Sequence, residues 1–323
     1  MTNAALLGSF GDVGGGPLVF RNKLINGGMA VDQRNAGATQ TFTAAAALAY
    51  SVDRWYGYCT GANATGARIA GTGSQFAYRF TGAASVTAIG FAQRIEQLNS
   101  YSLAGQTATL SVDLANSLLT TVTWTAYYAN TADTFGSLAS PTKTSIATGT
   151  FTVTSTVTRY QAQITVPAAA TTGIEILFTV GAQTSGTWTI QNAQLEAGSL
   201  PTPFEQRPVG MELGLCQRYY ERWSFLANQQ IGVGQSYSTT IAFFFISFLI
   251  QKRIVPNMTA FASGFDITKA GSSVLALTID EFYLPSLYTA RLRITTTTLT
   301  TGDALILGAN SNSSYIDMSS EIT

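Results

Sequence analysis

Between residues 21 and 205 apolar and polar positions alternate with a period of two. Ala108, Leu110, Val112 and Leu114 alternate with Thr107, Thr109, Ser111 and Asp113; Val122, Trp124, Ala126 and Tyr128 alternate with Thr121, Thr123, Thr125 and Tyr127. The runs 160–166 and 174–180 repeat the pattern, with Gly105, Gly136, Pro141, Pro167, Gly173, Gly181 and Gly186 between runs. Successive strand residues point to opposite faces, so this period predicts antiparallel strands with one buried face. Short strands at this spacing predict a β-sandwich. Their order along the chain leaves a jelly roll and an immunoglobulin-like sandwich equally open.

The pattern changes over Trp188–Trp223. Trp188 and Ile190 against Thr187, Thr189 and Gln191 predict one more strand, which breaks at Gly198, Pro201, Pro203 and Pro208. Proline removes a backbone donor and biases its predecessor to an extended conformation, so 198–208 reads as a stiff connector. Leu215, Tyr219 and Trp223 fall at i, i+4 and i+8, which predicts a short helix over 211–223. Residues 224–323 are again β, with strands expected at Val274–Ile279, Leu292–Ile294 and Leu305–Leu307. In Ile241–Ile250 both faces are apolar: Ile241, Phe243, Phe245 and Leu249 on one, Phe244, Ile246, Phe248 and Ile250 on the other. A strand in a two-sheet sandwich has one inward face, so the second face needs a cover. We expect a neighbouring copy to supply it; a helix or loop of the same chain is the alternative. Lys252, Arg253 and Pro256 end the strand. The polar tail 309–323 is expected at a tip or frayed.

The junction QLEAGSLPTPFEQRPVGMELGLCQRYY, with RNKLINGGMAVDQR at 21–34, YSVDRWYGY at 50–58 and AQRIEQL at 92–98, resembles bacteriophage fibre proteins at the end of a jelly-roll, carbohydrate-module-like domain. The resemblance covers most of residues 20–223. It implies a jelly roll in the middle domain and a virion fibre that attaches to a host surface. The expected organisation is a leader over 1–20, a jelly roll over 21–205, a connector and short helix over 206–223, and a C-terminal β-sandwich tip over 224–323. The expected fold class is all-β, in a homotrimer.

Composition narrows the chemistry. The chain has 323 residues, enough for two cores. Charged residues are 11% of it, against roughly 25% in an average domain, and 17 basic residues balance 17 acidic ones. A neutral chain lacks the basic surface that nucleic acid requires. Low charge suits a protein buried in an assembly. Histidine is absent, which removes Ser-His-Asp and Cys-His catalysis and histidine metal sites. Cys59 and Cys216 are far apart, form no CxxC, and are expected as buried free thiols. No acidic loop is dense enough for calcium, so neither metal nor cofactor is expected. No 20–50-residue repeat and no heptad run is present. The start lacks a secretory signal pattern, and the apolar run 241–250 is far short of a membrane span of roughly 20 residues. The expected location is the virion, after synthesis in the host cytoplasm and release by lysis.

Candidate residues follow. Gly14, Gly15 and Gly16 lack the strand, helix and GK[ST] of a phosphate loop; they sit in the leader, where Leu6, Leu7 and Phe10 are expected to dock on another virion protein. Asp53-Arg54-Trp55 reads as a core anchor beside a strand-edge pair, with a sugar platform of Trp55 and Tyr56 or Tyr58 as the alternative. Gln93-Arg94 and Glu96 are expected to pair internally. Arg218, Tyr219, Tyr220, Arg222 and Trp223 have interface composition. Leu215, Tyr219, Trp223, Phe243, Phe244, Phe245 and Phe248 are the expected trimer seam. Tyr283, Tyr288 and Tyr315, in polar surroundings, are the candidates for glycan contact. Carboxylates are dispersed, and Asp280-Glu281, adjacent on a strand, are expected to point apart, so no catalytic pair is expected. The expected function is non-enzymatic adhesion to a host surface polysaccharide. An architectural head fibre or decoration protein, and a polysaccharide-degrading spike, are the alternatives.

Overall fold

A computed structural model describes residues 20–44, 48–261, 264–269, 272–274 and 277–322. The stretch with Leu6, Leu7, Phe10 and the three glycines lies outside them. The chain divides into two compact units, the first running to Leu213 and including Ile322, the second Gly214–Glu321.

The first unit contains β1 (Gln40–Phe42), β2 (Ala49–Tyr50), β3 (Trp55–Thr60), β4 (Ala64–Ala70), β5 (Phe76–Thr81), β6 (Ala88–Ile95), β7 (Thr107–Asn116), β8 (Thr121–Ala129), β9 (Lys143–Thr152), β10 (Thr158–Thr165), β11 (Ile174–Val180) and β12 (Thr187–Ala197). They form two six-stranded sheets, β1-β4-β5-β12-β7-β10 and β2-β3-β6-β11-β8-β9. Counting from β5, strands one, eight, three and six lie side by side in one sheet. Strands two, seven, four and five do so in the other. This is jelly-roll order, and it settles what the chain order alone left open. The alternating apolar positions meet between the sheets. Phe91 stacks on Trp55 at 4.9 Å and on Tyr78 at 5.0 Å, and Phe80 stacks on Trp188 at 5.4 Å. The polar face of β7 is not solvated as the alternation predicts: Thr109 and Ser111 are buried. Thr109 donates to the Gly198 carbonyl, and Arg159 reaches across to Ser111.

The motifs that carry the resemblance build a clasp. Strand β12 is bulged between Gln191 and Gln194, with Asn192 at φ 51°. Against the bulge, the Asn22 amide donates to the Ala193 carbonyl at 3.0 Å and accepts from the backbone of Leu24 and Leu195. A Cβ on Gly27 would stand 2.0 Å from the Ala193 oxygen, so only glycine fits there. Asn26 donates to the Val31 and Asp53 carbonyls, and its own backbone N–H donates to Glu212. From the connector, Glu205 accepts from the Asn22 backbone at 2.9 Å, and Arg207 bonds both Glu205 and Glu212. Glu196 accepts from the Thr202 backbone and hydroxyl, fixing the start of the proline segment.

The helix is α1, Val209–Gln217, shorter at its C-terminal end than the spacing predicts. From Tyr220 the chain is a strand, so Leu215, Tyr219 and Trp223 do not share a helical row. The alternation in YERWSF, with its aromatic residues, suits a ladder better than a helix.

The second unit contains β13 (Tyr220–Phe225), β14 (Gln230–Ser236), β15 (Ile241–Ser247), β16 (Asn257–Phe261), β17 (Phe265–Lys269), β18 (Ser272–Val274), β19 (Leu277–Tyr283), β20 (Thr289–Thr296), β21 (Ala304–Ala309) and β22 (Ser314–Ser319). They form a seven-stranded sheet, β18-β17-β21-β14-β15-β20-β19, and a three-stranded sheet, β13-β22-β16. One core joins them, with Phe244, Ile267, Leu292, Leu307, Ile316 and Met318 among its buried members. The expected strand Val274–Ile279 is divided between β18 and β19. The tail is not frayed over 314–319: β22 is the central strand of the smaller sheet, because Ile316 and Met318 alternate with Tyr315 and Asp317 and enter the core.

Candidate functional site

Two sheet faces carry concentrations of aromatic and charged side chains. The first is the outer face of the jelly-roll sheet β2-β3-β6-β11-β8-β9. Tyr56, Ala92 and Leu177 form a small buried cluster there, flanked by Tyr50, Tyr58 and Tyr127. Tyr58 lies flat because its neighbour is Gly90, where a Cβ would stand 2.1 Å from the Tyr58 ring. The charges are mutually satisfied. Glu175, fully buried, accepts from the Tyr56 hydroxyl at 2.6 Å, from Arg94 Nε at 2.9 Å and from Lys143. Lys143 also stands 4.3 Å over the Tyr127 ring. The Ile322 carbonyl accepts from Tyr50 and Arg94. Burial, then the Glu175 charge, hold the Tyr56 phenol well above its ordinary range. Burial, with Tyr127 and Glu175, pushes Tyr58 up to about 12. Both stay neutral at physiological pH, and the face offers few free polar groups.

Asp53-Arg54-Trp55 is architecture. Trp55 is fully buried and donates to the Asn26 carbonyl at 3.0 Å, so it is no sugar platform. Asp53 and Arg54 do not form the expected pair. Asp53 accepts from the Gln33 backbone and lies 3.5 Å from Arg34, while Arg54, at φ 72°, donates to the Arg94 carbonyl. Burial raises the Asp53 carboxyl above its ordinary value. Gln93 bonds the Ile25 backbone in both directions. Cys59 and Cys216 are buried free thiols.

The second face is the outer side of the seven-stranded sheet. Register places Phe245 beside Arg291, and Arg291 beside Tyr283. Phe243 lies between Gln235 and Arg293. Tyr237 packs edge-on to Phe243 at 5.7 Å, and Phe243 packs on Tyr283 at 5.0 Å. Val233 is 75% exposed, Phe245 74% and Tyr237 70%. With Arg291, Thr301 and Gly302 they line an open groove of about 600 Å³. Arg291 stands 4.7 Å over Tyr283, 4.8 Å over Phe243 and 6.0 Å over Phe245.

The expected seam residues therefore separate. Phe244 belongs to the core of its own chain, because even positions on β15 face inward; Phe248, just past β15, joins the same core, and Tyr219 is also buried. Those three are buried within the single chain, against the expectation that they line a seam. Leu215 and Trp223 are half-buried, and Trp223 packs against the core. Phe243 and Phe245 are on the open face. Of the tyrosines proposed for glycan contact, Tyr283 joins this face, and Tyr288 is exposed in the turn before β20. Tyr315 is capped by Arg222 at 4.1 Å, itself paired in two bonds to Asp317. Asp280 and Glu281 do not diverge as strand alternation predicts. A bulge between Ile279 and Glu281 leaves both exposed, and both approach Arg293, at 3.9 and 3.1 Å. Sequence reasoning missed Val233, Tyr237 and Arg291. The alternation of Arg291 and Arg293 with Leu292 and Ile294 was the available signal for the arginine.

Among the described residues no cluster of three His, Cys, Asp or Glu could hold a metal ion, and no helix is long and apolar enough to cross a membrane.

No protein-family model matches the sequence, and no curated protein does. Solved structures give low likenesses. CBM4 is 15% identical, over 53% of this chain and 97% of its own, with a TM-score of 0.35. The enzymatically active domain of tailspike protein 4 of bacteriophage CBA120 is 17% identical, over 55% of this chain but 21% of its own, at 0.36. TmCBM61, solved with β-1,4-galactotriose, is 12% identical, over 55% of this chain and 99% of its own, at 0.33. At these scores none of them says what this chain binds; the jelly-roll assignment stands on its own strand order.

Proposed function

We propose that the protein is a non-enzymatic adhesion protein of a bacteriophage particle, binding surface glycan through the open face of its second unit. The observation that carries the binding reading is the aromatic groove of Tyr237, Phe243 and Phe245, with Tyr283 packed on Phe243 beside it. Aromatic rings give a sugar's C–H face a flat apolar surface, while neighbouring polar groups meet its hydroxyls. The virion assignment rests on the resemblance of the junction and its upstream motifs, with the leader docking on another virion protein. Non-enzymatic action is supported by the state of the carboxylates. Asp280 and Glu281 are engaged with Arg293, and Glu175 is buried under three donors, so none of these three stands ready as a general acid or nucleophile.

The test is binding of the fluorescently labelled chain to intact bacterial cells. Native protein is expected to coat cells and to be displaced by their surface polysaccharide without releasing reducing ends. Phe245→Ser is expected to lose most of the binding while keeping its unfolding midpoint. Release of reducing ends would replace adhesion with the degrading spike. Attachment to particles but not to cells would favour the architectural fibre.

A second reading has its own observation. Val233 and Phe245 are exposed apolar side chains lining one groove, of the kind buried between copies in a homotrimer. A solution mass of three chains that falls to one in Phe245→Ser would establish it.

A further inference from the structure

Arg291 has no acidic partner among the described residues, although it sits in the middle of the aromatic face. The nearby carboxylates, Asp280 and Glu281, are engaged one register position away by Arg293. Thr295 also donates to Asp280 at 2.7 Å. The two arginines differ in company although they are two residues apart on one strand. Arg293 is neutralised, whereas Arg291 is stacked among Phe243, Phe245 and Tyr283. Ring stacking holds a guanidinium in place through its π-face and leaves N–H donors at its edge. Such a fork matches a carboxylate in two parallel bonds.

We infer that this groove selects acidic sugar, a carboxylated pyranose in a polysaccharide, with Arg291 taking the carboxylate. The inference rests on the adhesion reading and names its ligand class. Phe245 and Phe243 would meet the ring's C–H face, and exposed Gln235, beside Phe243, its hydroxyls. A neutral glycan would use the aromatic rings but leave the guanidinium unmatched. The chain's zero formal charge makes the selection local, because no overall positive field would draw in polyanions indiscriminately.

The experiment measures binding of the whole chain to polygalacturonate, alginate and hyaluronan, to the same polymers after carboxyl reduction, and to dextran and dextran sulfate. At least one carboxylated polymer is expected to bind, with affinity falling tenfold or more on carboxyl reduction. Arg291→Gln should lose a similar factor with an unchanged unfolding midpoint, and Arg291→Lys, which keeps charge without the planar fork, should lose less. Equal affinity for native and reduced polymer, or an Arg291→Gln variant as tight as the parent, overturns the inference and leaves adhesion standing. Dextran sulfate bound as tightly as the carboxylated polymer overturns the carboxylate assignment. Binding to no glycan, with the groove closed in a trimer that Phe245→Ser dissociates, overturns both readings.

Discussion

The tyrosine face of the jelly roll and the aromatic face of the second unit have similar ingredients and opposite states. Each combines aromatic rings with basic and acidic side chains on the outer side of a sheet. On the first, Glu175 gathers Tyr56, Arg94 and Lys143, and the rings pack over glycine and one another. On the second, the carboxylates lie to one side with Arg293, and Arg291 is left among rings of which Phe245 is largely exposed and Phe243 half-buried. Composition therefore does not separate an architectural face from a binding face. The separation lies in whether each charge already has its partner.

The contrast predicts where substitutions matter, and the largest effect is expected at Glu175. Glu175→Ala would leave Arg94 and Lys143 without their shared carboxylate and should cost about 3–5 kcal/mol in denaturant unfolding. A loss under about 1 kcal/mol would mean the network is not closed. Gly90→Ala forces the Tyr58 ring off the sheet and should cost about 3 kcal/mol, with a matching change in tyrosine fluorescence. Alkaline titration gives a third measure. The Tyr58 phenol is pushed from 10.0 up to about 12. Below pH 10 it is neutral folded and unfolded, and its contribution is fully present. Between pH 10 and 12 the unfolded chain ionises first, so stability should fall by about 2 kcal/mol as pH rises. Tyr58→Phe should remove that part of the slope. The smallest effect belongs to the open face: Phe245→Ser should move stability by no more than about 0.5 kcal/mol. A larger loss would mean that this face, too, is closed.

The strands of the jelly roll were legible because period-two alternation is a local signal, visible from 107–114 to 174–180. The proline connector was legible for the same reason. The fate of the second sequence face was not local. Ser111 is polar yet buried, because Arg159 from β10 reaches over it. Residues 218–223 satisfy helical spacing, but a ladder with a strand 95 residues away, Arg222 opposite Asp317, decides otherwise. At Asp280-Glu281 one extra residue in β19 cancels the alternation rule. On β15 the even positions enter the core and Phe243 and Phe245 lie on the open face; which face went inward depended on partners no local pattern names. The motifs that carry the family resemblance are mostly clasp residues such as Asn22, Gly27, Glu205 and Arg207. They identify an architecture and are silent about the groove, which lies outside them.

Strand order in the first unit bears on how the chain is made. In each sheet the last strand to be synthesised is an interior one: β11 inserts between β6 and β8, and β12 between β5 and β7. The sheet that holds β11 stays split until residue 180 has emerged from the ribosome, and the sheet that holds β12 until residue 197, and each shows unpaired edges to solvent until then. The Asn26 turn then waits further, for Glu212. The nascent domain thus emerges with its edges open over most of its length, and its closure is a late, long-range event. A ribosome stalled near residue 170 should hold a protease-sensitive chain that binds chaperone, and one stalled well beyond 212 should hold a resistant domain.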